Sequence, residues 1–415
     1  MDYAIVRKII RDCLRIDEVR YGKTKVLTLA HDNDRSLLYK GKYYSPLVDT
    51  IEDELRVAGI RCVSVSRIIS TIKGDAAYGN VISPEGSFAR ALVTKRLKGV
   101  LQRGRYSYSR MEENIWGRIL DETGARKVIG ILPSRELCVA CRKRGIWVAD
   151  VQHGVIAETH PWYGEKFRAC DPVEYLPHEF LNWDLGSRQV IAKWAEPKGV
   201  VTRVIGNRWV ARFMRRDPED QLVNELFADY RARQPAAPDK KVILVALSWG
   251  EFNIPNGFIA DGLQEVIRAT SDRYRWLIRL HPNQLKGFAT HESTKFYKYF
   301  SENLAGHAEW ELPTRFPLPV VLAGIDLHIS WMSSVCIEAA QMGIRSALLN
   351  PRLRAADAIG DYYEYYRGRG MVDLVQETSS EITAWIEKNI ARRHPPEDYE
   401  EGNREYRRLI SFLAA

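Results

Sequence analysis

KVILVALSW (241–249) and YRWLIRLHP (274–282) are the two stretches that decide how this chain folds. The first is an almost unbroken apolar run, the composition of a strand covered on both faces in a parallel sheet. The second is a strand that Pro282 brings to a stop. A helical pattern at about 258–270 lies between them. Strand, helix and strand in that order read as a βαβ unit with parallel pairing. The alternation continues downstream. VVLAGIDLHISW (320–331) carries a strand, SSVCIEAAQMG a helix, and IRSALLNP (344–351) a further strand, and 380–415 is helical and polar.

The same alternation occupies the first half. KVLTLAH (25–31), RCVSVSRI (61–68), KVIGILP (127–133) and IWVADVQHG (146–154) read as strands. Helices are expected at 45–60, opening at Ser-Pro and ending near Gly59, and in MEENIWGRILDETG and SRELCVACRKRG. Residues 155–200 are less regular, 201–209 reads as a strand and turn at a domain junction, and 231–240 as a surface connection. The fold class is α/β, with two Rossmann-like domains facing each other across a cleft. The expected domains are 1–200 and 201–385, with a final helix at 386–415 that packs back on the first. In the first helix, 2–17, Ile5, Val6, Ile9, Ile10, Cys13 and Leu14 recur at helical spacing. The pattern suits either a core or a membrane surface, and the sequence favours the core.

Composition narrows the function classes. The chain has 415 residues, enough for two cores, with 45% apolar and 27% charged residues, the balance of a globular protein. No apolar run reaches the roughly 18 residues of a membrane span, and the first residues do not read as a secretory signal. Six scattered cysteines read as buried thiols in a reducing, cytoplasmic setting; Cys138-x-x-Cys141 has no second ligand pair beside it. The net charge of +8 favours anionic partners. From Ser87 to Arg110 there are seven basic residues and no acid, with Tyr106 and Tyr108 interleaved. That segment reads either as a solvated helix face or as a landing surface for a charged lipid-linked acceptor, with peripheral contact at the inner membrane. No nucleic-acid motif accompanies it, and nucleic acid is not an expected partner.

The candidate site lies where strands end. Ser333-Ser334 sit between a strand and a helix, with Ser334 placed to cap it; free N–H groups and hydroxyls there suit an anion. His281-Pro282 ends another strand of the same half, outside the carboxyl edge where α/β sheets bind ligands. Its imidazole suits a phosphate. Glu338, one turn into the helix, could accept from a ribose.

RLHP followed by DLHISWMSSVCIEAAQMGI resembles the histidine-proline and serine-serine motifs of bacterial glycosyltransferases that use CMP-activated acidic sugars in capsule and O-antigen assembly. The resemblance implies a GT-B-like fold and nucleotide-phosphate contacts from His281, Ser333 and Ser334; Pro282 and Glu338 are the further nucleotide-binding candidates. Glu136-Leu137-Cys138, then Gly145 to Gly154, His160-Pro161, Leu176-Pro177 and Trp183, look similar to retaining β-Kdo transferases (Kdo is an eight-carbon ulosonic acid). The resemblance spans roughly 125–350 and implies a CMP-Kdo donor, no further cofactor, and a glycan or lipid-linked glycan acceptor. It places Gln152, His153, Glu158 and His160 toward the donor sugar or acceptor, and Arg279 or Arg315 on the sugar carboxylate. The family's carboxylate nucleophile falls in 247–253, where the carboxylate present is Glu251; another register puts Ser248 there. Single displacement, with Glu158, Glu85 or His153 as base, is the alternative. No metal is required. Asp32 and Asp34 are the nearest thing to a metal pair, but acceptor binding by His31, Asn33 and Arg35 is the preferred reading of that loop.

Overall fold

All five residues of VLTLA (26–30) are buried, which makes this segment an interior strand with helices on both faces. A computed structural model of the chain describes residues 3–66, 70–79, 81–101, 108–160, 163–164, 169–234, 240–249, 254, 257–285, 290–355, 359–392, 394–396 and 400–415. They fall into two units, Met1–Arg208 with Glu400–Ala415, and Trp209–Tyr399.

The strands of the first unit are β1 (Val26–Ala30), β2 (Leu37–Tyr39), β3 (Lys42–Tyr44), β4 (Cys62–Ser66), β5 (Val81–Ile82), β6 (Lys127–Gly130), β7 (Trp147–Val151), β8 (Glu179–Asn182) and β9 (Val201–Val204). β2 and β3 form a separate antiparallel hairpin. The others make one parallel sheet in the order β5-β4-β1-β6-β7-β8-β9. In the second unit, β10 (Lys241–Ala246), β11 (Tyr274–Arg279), β12 (Ala308–Glu309), β13 (Leu327–Ser330), β14 (Arg345–Leu348) and β15 (Val372–Leu374) form a parallel sheet in the order β12-β11-β10-β13-β14-β15. With the hairpin set aside, both sheets run third, second, first, fourth, fifth and sixth strand, and the first sheet adds a seventh, β9, at its edge. The winding therefore reverses beside β1 in one unit and beside β10 in the other, and such a reversal opens a crevice at the carboxyl ends of the strands.

Short polar caps fix where helices begin. Ser109, Ser134, Asp184, Asp220 and Thr378 each accept a backbone N–H three residues on. At the first reversal β6 approaches β1 so closely that a Cβ on Gly130 would stand 2.4 Å from the Leu29 carbonyl oxygen. In the second unit one face of the sheet packs Ile243, Val245, Ile278 and Ile329 against Leu263, Phe296 and Ile382 of the flanking helices.

The boundaries differ from the sequence reading in three places. β9 is the edge strand of the first sheet and not the start of the second domain. The apolar run at 320 begins as a helix, Leu318–Leu322, because Pro317 and Pro319 set up a first helical turn; β13 starts only at Leu327. The first helix, Tyr3–Cys13, buries Ile9 but leaves Ile10 and Leu14 exposed, against the expected core-facing role.

The helix Glu400–Ala414 completes the core of the first unit. Its Tyr406, Leu409 and Leu413 pack with Val26 of β1, Ile51, Ile129 and Leu181. Leu409 is fully buried, so Leu409→Ala should remove about 2–5 kcal/mol of stability. Urea unfolding of the full chain measures this; an unchanged midpoint would contradict the packing.

Candidate nucleotide-sugar site

The winding reversal of the second unit separates the segment after β10 from the segment after β13, and one serine ties them together. Ser248 Oγ donates to the Met332 carbonyl at 2.6 Å and accepts the Met332 N–H at 3.2 Å. Two residues earlier on each strand, Ser330 Oγ donates to the Ala246 carbonyl at 2.7 Å. With both bonds made inside the protein, the Ser248 hydroxyl braces the site and does not stand as a nucleophile. Glu251, the expected carboxylate, lies outside the described residues, as does Pro161.

After β11 the chain makes a tight turn at His281. The His281 N–H donates to Gln284 Oε1 at 2.8 Å, and His281 Nδ1 accepts the Asn283 N–H at 3.1 Å. Since Nδ1 accepts, the ring proton of the neutral imidazole sits on Nε2, the tautomer that can donate to a phosphate oxygen. The ring stacks on Trp249, with centroids 6.1 Å apart and planes at 14°. Pro282 opens the turn Pro282–Leu285 and is exposed. Gln284 is fully buried beneath it. Neither Trp249 nor Gln284 was singled out from sequence; the signal available was Trp249 immediately beyond an apolar strand.

Ser333 and Ser334 divide the work at the start of the helix Val335–Gln341. Ser333 Oγ accepts the Val335 N–H at 3.3 Å, while the Ser334 side chain makes no capping bond, contrary to expectation. Both are half-buried. Glu338, on that helix, has its carboxyl pushed up to about 7 by burial, with the Arg279 charge pulling the other way. Arg279 itself donates to the carbonyls of Pro313 and Phe316, and burial lowers its pKa to about 10. The expected role of Arg279 on a sugar carboxylate is therefore corrected: its guanidinium holds the segment after β12. Arg315, on the neighbouring helix Glu311–Arg315, is exposed.

In the first unit the expected residues also separate into braces and outward groups. Gln152 is buried, its amide donating to the Gly154 carbonyl at 2.8 Å and to Ser187 Oγ at 3.0 Å while accepting the Trp183 N–H at 2.7 Å. Both amide hydrogens are spent, so Gln152 shapes the turn and is corrected as a sugar contact. His153 Nδ1 lies 2.6 Å from the Tyr163 hydroxyl, and the Tyr163 ring stacks on His160. Glu158 pairs with Lys193 at the surface. Glu85 is buried and paired with Lys8 and Lys73.

His31 repeats the His281 turn. Its Nδ1 accepts the Asn33 N–H at 3.2 Å and its N–H donates to Asp34 Oδ2 at 2.8 Å. Asn33 is exposed. Asp32 accepts from the N–H and hydroxyl of Thr71, at 2.7 and 2.9 Å. Both aspartates are thus engaged within the protein, and among the described residues no group of His, Cys, Asp or Glu could hold a metal ion. Across the reversal, Leu132 has φ of 48°, an unfavourable value for leucine, and its N–H donates to Asp150 Oδ1 at 2.9 Å.

Arg35 departs furthest from its expected role. It is buried, bonded to Asp49 Oδ2 at 2.8 Å and Ser64 Oγ at 3.1 Å, and cannot reach an acceptor. Burial pushes the Asp49 carboxyl up to about 8; Arg35 opposes this and Glu52 reinforces it. Burial raises the Glu52 carboxyl too, while Thr28, which donates to it, and Arg35 oppose the rise. The basic stretch 87–110 is likewise partly internal. Arg90 donates to the carbonyls of Cys13 and Arg15, and Lys95 pairs with Glu112 and Glu136. Residues 102–107, with Arg103, Arg105 and Tyr106, lie outside the described residues.

No family model matches the chain, and no curated protein matches it in sequence. Solved structures do match in fold. UDP-GlcNAc 2-epimerase from Neisseria meningitidis, bound to UDP-GlcNAc, aligns with a TM-score of 0.57 and 14% identity over 94% of this chain and 100% of that one. The wall teichoic acid polymerase TagF aligns with a TM-score of 0.53 and 14% identity over 100% of this chain and 93% of that one. A putative UDP-N-acetylglucosamine 2-epimerase from Listeria monocytogenes gives a TM-score of 0.56 at 12% identity, over 94% and 97%. The fold is GT-B-like, two α/β domains with parallel sheets.

The buried cluster yields a stability test. Carboxyls raised in the fold contribute stability that is full below the ordinary carboxylate range and is lost as pH rises through their folded values. Arg35→Met leaves Asp49 and Glu52 without their cation and should cost about 3–5 kcal/mol, with the deficit growing as pH rises. Melting midpoints of both proteins across pH measure it; a deficit that shrinks toward alkaline pH would contradict the assignment.

Proposed function

We propose that the chain is a glycosyltransferase that takes a CMP-activated acidic sugar, CMP-Kdo or a related ulosonic acid, and transfers the sugar to a glycan or lipid-linked glycan. The observation that supports this best is the His281 turn. Its Nε2 proton is set by the bond at Nδ1, at the carboxyl end of a parallel strand next to the winding reversal. His281, Pro282 and the hydroxyls of Ser333 and Ser334 would take the nucleotide phosphate, and Glu338 the ribose hydroxyls. Arg315 would pair with the sugar carboxylate. In the first unit His31, Asn33, His153 and His160 would meet the acceptor.

Two courses of transfer are compatible with these residues. In double displacement the Glu251 carboxylate attacks the anomeric carbon, CMP departs, and the acceptor hydroxyl then displaces the carboxylate with loss of its proton. In single displacement the acceptor hydroxyl attacks directly. His153, oriented by Tyr163, is then a better base than Glu158 or Glu85, which are engaged with lysines. A CDP- or UDP-linked donor is a second reading. It is favoured by the structures of TagF soaked with CDPG and of an epimerase bound to UDP-GlcNAc.

Titration with CMP, CDP and UDP separates these readings. CMP should bind tightest, and His281→Ala should weaken it about tenfold with the melting midpoint retained. Preference for UDP, with no transfer to any glycan, would replace this reading by that of an isomerase. The Glu338 carboxyl, with its value near 7, adds a pH signature. As an ionised acceptor of ribose hydroxyls it should strengthen CMP binding from about pH 6 to about pH 8, and Glu338→Gln should flatten the rise. Intact-protein mass after incubation with CMP-Kdo alone tests the course of transfer. A Kdo-sized adduct on the wild type that is lost in Glu251→Gln indicates double displacement; no adduct alongside active transfer indicates single displacement.

A further inference from the structure

Among the described side chains of the first helix, Lys8, Ile9 and Asp12 face its unit. Lys8 reaches Asp12 at 2.7 Å and Glu85 at 3.4 Å, and Ile9 and Asp12 are buried. Arg90 holds the end of the helix through the carbonyls of Cys13 and Arg15, while Asp17 accepts the N–H groups of Gly86 and Ser87 at 2.8 and 2.7 Å. The helix is a fixed part of the surface, clamped at its C-terminal end.

The exposed side of the helix and the residues just after it carry what a soluble surface disfavours. Ile10 is 59% exposed, Leu14 82% and Ile16 83%. At 100° per residue Arg7 and Arg11 share one row of the helix with Ile10 beside it, and Leu14, Arg15 and Ile16 follow directly after the helix ends at Cys13. All three arginines are exposed; Arg7 and Arg11 are like charges four residues apart on the helix, and Arg11 also lies 3.5 Å from Asp12. Of the other described charged residues from 7 to 20 that are exposed, Glu18 is the acid and Arg20 a further base.

We propose that this face seats on a bilayer carrying anionic lipids. Ile10, Leu14 and Ile16 would enter the boundary between headgroups and acyl chains, and Arg7, Arg11 and Arg15 would lie at phosphate level. Charge complementarity selects this occupant. An anionic surface attracts the exposed Arg7, Arg11 and Arg15 together, whereas a second copy would bring the same arginines against themselves. This moves the landing surface expected at 87–110 onto the first helix. It stands independently of the nucleotide reading.

Cosedimentation of the full chain with phosphatidylcholine vesicles, with and without phosphatidylglycerol, tests it. The wild type should pellet with the anionic vesicles and not with the neutral ones, and high salt should release it. Ile10→Ser/Leu14→Ser/Ile16→Ser and Arg7→Gln/Arg11→Gln/Arg15→Gln should each lower partitioning at least about tenfold at unchanged melting midpoint. Val57→Ser removes a side chain 91% exposed elsewhere and should behave as wild type. Equal binding to both vesicle types, or wild-type binding by either triple variant, overturns the proposal. So does a dimer that the apolar triple variant dissolves without any vesicle binding.

Discussion

A parallel sheet whose first strand lies in the middle must reverse its winding beside that strand, and both units of this protein obey that constraint. β1 and β10 have later strands on either side, so the segments leaving their carboxyl ends part from those leaving β6 and β13. Of the candidate residues, His31 follows β1 and Ser333 and Ser334 follow β13, where the segments part. The brace of Ser248 on Met332 shows what holding such an opening requires: two backbone groups that no ladder can serve are served by one hydroxyl.

Hydrogen bonding sorts the polar residues into those that build and those that face outward. Gln152 and Ser248 have their donors taken by carbonyls or a hydroxyl of the same unit, and Arg279 and Arg35 turn guanidinium N–H groups onto carbonyls, a carboxylate and a hydroxyl. The two histidine turns work differently. In each, a backbone N–H occupies Nδ1, which leaves the proton on Nε2, and the residue three places on accepts the histidine's own N–H. The backbone thereby sets the chemistry of the ring. The turn can use different neighbours, Pro282 and Gln284 in one case and Asp32 and Asp34 in the other, because its geometry depends on the histidine and on main-chain groups.

The architecture was legible because its signals are local. Apolar runs such as 241–249 and the breaks at Pro282 and Ser334 are properties of consecutive residues. Short edge strands such as β5, β12 and β15 were not anticipated, since two or three residues give no period to read. Arg35 and Arg279 misled for a common reason. An arginine next to a strand end looks the same in sequence whether it faces a ligand or folds back onto carboxylates or carbonyls. Only the positions of Asp49, Pro313 and Phe316, all distant in sequence, decide between the two. The run at 320 misled through proline: Pro317 and Pro319 imposed a helical turn on residues whose side chains favour a strand.

The return of Glu400–Ala414 to the first unit bears on how the chain comes into being. During synthesis the second unit, Trp209–Tyr399, is complete before the residues that close the first core have been made. The unit begun first is finished last. Until the ribosome delivers Tyr406, Leu409 and Leu413, the apolar face formed by Val26, Ile51 and Leu181 is open to water and to other nascent chains. Dependence on chaperones should therefore concentrate in the first unit and end once Glu400–Ala414 has been translated.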